Sequence, residues 1–130
     1  RIAAHPAIPR IAMRATLLAR SQFEEPEYVA YNKAYMYCDY RVEAVTAGTY
    51  AAKDVRVAQW VFLGRKLLTT STREVGQAYD LLLEPFAAHP ELADEQAYDT
   101  LEADPDRPVF WDVAPVAYPP PQPVAPDAAP

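Results

Sequence analysis

At 130 residues, with 12 Lys or Arg against 18 Asp or Glu and a formal net charge of −6, the chain has room for one small core plus extensions. That balance excludes nucleic acid as the main partner, because phosphate binding needs a basic surface. A lone cysteine, Cys38, excludes an internal disulfide, and no apolar run approaches the roughly 20 residues that span a bilayer.

The first predicted element is helical. His5-Pro6 and Pro9 make the entry extended, and from Arg10 to Ser21 the apolar residues Ile11, Ala12, Ala15, Leu18 and Ala19 form one stripe at helical spacing. Pro9 suits a first turn, and Glu24-Glu25-Pro26 ends the run, because the residue before a proline disfavours αR. This head, residues 1–26, carries Arg10, Arg14 and Arg20, while residues 85–130 hold nine acids and only Arg107. A helix this short is not stable alone and must pack on the domain or a neighbour.

Residues 27–113 read as a β domain. Strict alternation over Lys33 to Val45 predicts a long, half-buried strand. Ala34, Met36, Cys38, Tyr40, Val42 and Ala44 share one face; Tyr35, Tyr37, Asp39, Arg41, Glu43 and Val45 share the other. Ala47-Gly48-Thr49 supplies a turn. Asp54 to Leu63 is the next strand, with Val55, Val57, Val61 and Leu63 on one side and Arg56, Ala58, Trp60 and Phe62 on the other. Gly64-Arg65-Lys66 is a tight turn into a short return strand near Leu67 and Leu68. Residues 69–72 are a polar loop, Gln77 to Glu84 a third long strand stopped by Pro85, and residues 87–97 irregular or briefly helical. Val109 to Val113 is a last short strand.

Residues 114–130 form a proline-rich arm, with seven prolines and no lysine, arginine or glycine. Proline lacks an N–H and fixes φ, so the arm joins neither a helix nor a central strand, and alone it is a semi-rigid polyproline II segment. Such an arm keeps one place only when something holds it, which points to a subunit whose tail lies on a partner.

The runs Tyr-Arg-Val-Glu-Ala-Val-Thr-Ala-Gly-Thr-Tyr (40–50), Asp-Val-Arg-Val-Ala-Gln-Trp-Val (54–61) and Val-Gly-Gln-Ala-Tyr-Asp-Leu-Leu-Leu (75–83) resemble the netrin-like or TIMP-like OB barrels over about 45 residues. The disulfide framework of the secreted animal members is missing, so protease inhibition does not carry over. A vaguer likeness is to small β modules that accompany bacterial exopolysaccharide acetylation proteins. Either likeness implies an extracytoplasmic binding or scaffold module, periplasmic or extracellular. A start at Arg1 rather than Met fits a mature product with its targeting segment removed, and equally a chain cut at a boundary.

Chemistry-bearing motifs are sparse. His5 and His89 both precede proline and read as turn residues, without the clustered ligands that zinc or acid–base chemistry wants. Cys38 sits mid-strand as a buried thiol. Asp99, Glu102, Asp104 and Asp106 lack calcium-loop spacing. Neither Ser21 nor Ser71 lies in Gly-x-Ser-x-Gly. No catalytic residue, metal or cofactor is expected. The tyrosines at the start of the long strand carry three open readings: ordinary packing, a protein contact, or a sugar-stacking platform.

The expectation is therefore a mainly β, OB-like barrel or sandwich with an N-terminal amphipathic helix and an extended C-terminal arm. It is read as a non-catalytic structural or accessory subunit of a multi-protein assembly or homopolymer. The expected partner-binding residues are Arg10, Arg14, Arg20, Tyr35, Tyr37, Tyr118, Pro119, Pro120, Pro121 and Pro123. The basic head would meet an acidic neighbour, including the 91–106 stretch of another copy, and head-to-tail contact of that kind builds rings or filaments. The alternative is an extracytoplasmic carbohydrate-binding module using the tyrosine face. Neither reading involves nucleic acid or a membrane span; association with a membrane complex from its surface stays open.

Overall fold

The computed structural model describes residues 8–121. Pro123, one of the expected contact residues, lies outside them. The strands are β1 (Ile11–Arg20), β2 (Ala34–Ala47), β3 (Asp54–Leu63), β4 (Lys66–Leu67), β5 (Ala78–Pro85), β6 (Gln96–Tyr98) and β7 (Val109–Asp112), with short 3-10 turns between them. Five strands close into a barrel in the circuit β1–β2–β3–β7–β5–β1. Only β3–β7 is parallel within it. The short β4 pairs with β3, and β6 runs parallel to β2 outside the circuit.

The expected N-terminal helix is a strand. Ile11, Met13, Ala15 and Leu17 alternate inward and are all buried, whereas Leu18, central to the helical stripe, is 37% exposed. Alanine, leucine, arginine and methionine all favour helix, so local preference points the wrong way here. Pairing on both edges decides the matter: β1 is laddered to β2 and to β5, and a lone helix of this length would not hold in water. The sheet thus begins at Ile11, inside what reads as a helical extension of residues 1–26. Three register shifts in the β1–β2 ladder add the local bend and twist that closure of a small barrel requires.

The β2–β3 ribbon matches the alternation closely, with one correction. Tyr35 pairs with Trp60 but Ala34 pairs with Phe62. The extra residue turns Phe62 inward, so it joins the barrel core with Met36, Cys38, Tyr40, Val55, Val57 and Val61 instead of sharing Trp60's outer face. A second cluster lies outside the barrel wall, where Tyr35, Ala58, Leu92 and Trp111 are buried beneath Tyr37, Trp60, Phe86 and Ala97. The 3-10 turns Phe86–Ala88 and Pro90–Asp94 supply Phe86 and Leu92 to this outer layer.

Two turns depend on backbone freedom. Gly48 has φ of +78°, and a Cβ there would stand 2.4 Å from the Arg10 carbonyl oxygen. The β3–β4 hairpin turns through Gly64 and Arg65, both at positive φ, which suits a two-residue loop of the primed type. Arg65 is compensated for this conformation. Its N–H donates to the Asn32 carbonyl at 2.8 Å, and its guanidinium donates to the carbonyls of Pro26, Val29 and Tyr31.

Candidate functional site

The root of the arm crosses one end of the barrel, over a polar string inside the wall. Arg73 donates from Nη1 to the Tyr40 hydroxyl at 3.1 Å. That hydroxyl donates to Gln59 Oε1, and Gln59 Nε2 donates to Asp112 Oδ2 at 2.9 Å. Every link thus donates in one sense, from the cation to the carboxylate. Asp112 Oδ1 accepts the backbone N–H groups of Leu82 at 3.4 Å and Ala114 at 3.0 Å. Burial raises the Asp112 carboxyl above its ordinary range, against the hydrogen bonds that favour its charge. Burial likewise raises the Tyr40 phenol.

Through the Ala114 N–H, Asp112 helps set the direction in which the chain leaves β7. Val113 donates its N–H to the Leu82 carbonyl, and Thr69 donates to the Ala117 carbonyl at 2.9 Å. Tyr118 donates its hydroxyl to the Leu63 carbonyl at 3.2 Å. Pro119 then reaches a groove of about 390 Å³ shared with Glu25, Pro26, Glu27, Arg65, Lys66 and Leu67. The space beneath residues 114–117 is only about 40 Å³, room for a few waters at most. Pro119, Pro120 and Pro121 are exposed, and Tyr118 is 50% exposed. Described to Pro121, the arm carries neither helix nor strand, and what holds its root is its own barrel.

The arginines of the head are engaged within the chain. Arg10 meets Glu84 at 2.6 Å and Arg14 meets Asp80 at 3.1 Å, the latter pair in the open. Arg20 donates to the carbonyls of Arg73 and Ser71 at 2.6 and 2.7 Å and lies over the Phe23 ring. It thereby holds the loop that delivers Arg73 to the polar string. Tyr35 is 5% exposed and meets Trp60 and Trp111 edge to face. Tyr37 packs on Phe86, and burial, reinforced by neighbouring Tyr35, raises its phenol. The two tyrosines come together in the outer cluster.

The acidic loop also folds back on its own chain. Arg56 donates to both oxygens of Asp39 at 2.8 and 3.0 Å and to the Glu102 carbonyl. Arg107 pairs with Asp39 at 3.0 Å and with Asp104 at 3.3 Å. Among the described residues no group of three or more His, Cys, Asp or Glu is placed to hold a metal. Cys38 is buried, which pushes its thiol up to about 12, so it is protonated and a poor nucleophile near neutrality. No helix among these residues is long and apolar enough to cross a membrane.

Sequence reasoning missed the string and the Arg56–Asp39–Arg107 clasp. Gln59 is the one signal that could have shown the string: a polar residue at an inward position between Val57 and Val61 needs a partner inside the wall. Compared with known proteins, the chain matches no family model, no curated protein and no solved structure.

Proposed function

We propose that this chain is a non-catalytic structural or accessory subunit that joins a larger assembly through its proline-rich arm. The observation that carries the reading is the arm's root. Asp112, Thr69 and Leu63 fix where the chain leaves the barrel, and Tyr118 to Pro121 are then offered to solvent. A proline-rich segment loses little conformational entropy on docking, and a fixed root reduces the cost further. Proline-rich segments are read by aromatic-lined grooves on partner proteins.

The closed circuit, with its one parallel pairing between β3 and β7, supports placing the barrel among OB-like folds. The netrin-like or TIMP-like kinship belongs to the same proposal. Since OB-like barrels host unrelated functions, the arm rather than the barrel carries the functional argument. The carbohydrate reading is the weaker one: Tyr35 is buried and Tyr37 lies against Phe86, so the chain itself covers the face on which a sugar would stack.

Native mass by light scattering, for the full chain and for a version ending at Ala114, tests the homomeric form. A large particle that falls to monomer mass on truncation supports assembly through the arm. Monomers in both cases defeat self-assembly, and co-purification of a stoichiometric partner with the full chain alone then becomes the deciding measurement.

A further inference from the structure

His89 follows the turn Phe86–Ala88 and precedes Pro90–Asp94, the two turns that lay Phe86 and Leu92 over the outer aromatic cluster. Its ring is bonded at both nitrogens. Nε2 lies 2.7 Å from Glu84 Oε1 and Nδ1 lies 2.9 Å from Glu91 Oε2. An ionised carboxylate only accepts, so an imidazole can serve both partners only by donating twice, as the imidazolium. Glu84 is 4% exposed, and its second oxygen accepts from Arg10 Nε at 2.6 Å. Behind the ring stands Trp111, 6.3 Å away between centroids, which carries no titratable group. The charged groups facing His89 are therefore Glu84 from β5 and Glu91 from the following turn, with Arg10 acting through Glu84.

We propose that His89 is a proton-operated clamp: charged, it ties the two 3-10 turns that cover the outer aromatic cluster to the buried Glu84 on β5, and neutral, it must release one carboxylate. Without its proton the ring keeps one N–H, and a lone pair then faces an oxygen at the other nitrogen. The Leu92 N–H bonds to the His89 carbonyl, and the Glu95 N–H to the Leu92 carbonyl, so both amides report directly on the clamped segment.

The signs of the titrations agree with this geometry. Burial opposes charge on His89, but hydrogen bonds to Glu91 and Glu84 outweigh it and raise the ring above its ordinary 6.5. Stabilisation from that elevation is fully present below 6.5 and is lost as pH rises through the folded value. Glu84 is lowered from 4.5, mainly by Arg10, and Glu91 by His89. Their contributions are present above 4.5 and are lost as pH falls through the folded values. The clamp is thus tightest between those two ordinary values, and it loosens as pH rises through the folded value of His89.

The test is an NMR titration of the full chain, with the His89 ring signal assigned by its loss in His89→Gln. A ring midpoint above 6.5, with the protection of the Leu92 and Glu95 amides, corrected for intrinsic exchange, falling several-fold through the same midpoint, supports the clamp. A midpoint at or below 6.5 overturns it. Amide protection that ignores the ring's titration overturns it as well, because His89 would then be charged without fastening anything. None of these readouts involves the arm, so the clamp stands or falls apart from the proposed assembly role.

Discussion

The two faces of the β2–β3 ribbon solve the same problem differently. Inside the barrel, Arg73 and Asp112 are joined at a distance by two neutral groups, Tyr40 and Gln59. Outside, Arg56 and Arg107 both touch Asp39 directly. Direct contact suits the outer site, where Arg107 keeps access to water. Within the wall a touching ion pair would still have to recover the cost of desolvating both charges. Neutral donors spread that cost over several short-range bonds, and the order of donation becomes part of the structure.

Breaking the inner string at its anionic end should have the largest effect. Asp112→Ala strands Gln59 Nε2 and the N–H groups of Leu82 and Ala114, and is expected to cost about 3–5 kcal/mol by denaturant titration. Asp39→Ala comes next. It removes the carboxylate shared by both arginines, leaves the buried Arg56 with the Glu102 carbonyl but without its paired carboxylate, and should cost about 2–4 kcal/mol. A cost under about 1 kcal/mol at either position would show that water replaces the lost partner. Asp112→Asn sharpens the contrast. An amide cannot accept at both atoms, so the string would have donors at both ends and one link must go unpartnered, at about 1–3 kcal/mol. A string without direction would tolerate that change. At the small end, Arg14→Ala removes an exposed pair with Asp80 and should leave the unfolding midpoint unchanged.

The same contrast explains what could be read from the residues. Strand β3 has the expected bounds and β2 nearly so, because alternation survives wherever one face is apolar. The phase broke at Trp60 and Phe62, where a register shift is set by the partner strand and leaves no local mark. Strand β1 was misread because its apolar residues fit both spacings: Ile11 and Ala15 belong to the helical stripe as well as to the inward row, and only its two neighbours distinguish the cases. Tyr35 looked available for contact because its strand neighbours Asp39, Arg41 and Glu43 are polar. The covering layer arrives from Phe86 and Leu92, some fifty residues further on. His89 looked like a turn residue, and it is one. Its second role depends on a chain reversal that brings Glu84 and Glu91 to opposite sides of one ring.

Strand β7 is four residues long, yet it is laddered on one side to β3 and on the other to β5. The arm continues directly from it. A pull on the arm along the strand axis would therefore load both ladders in shear, so their hydrogen bonds resist together instead of opening one at a time. The fastening of Thr69 to Ala117 takes the first strain before it reaches the barrel. Under such a load the arm's anchor is the wall of the barrel rather than its rim.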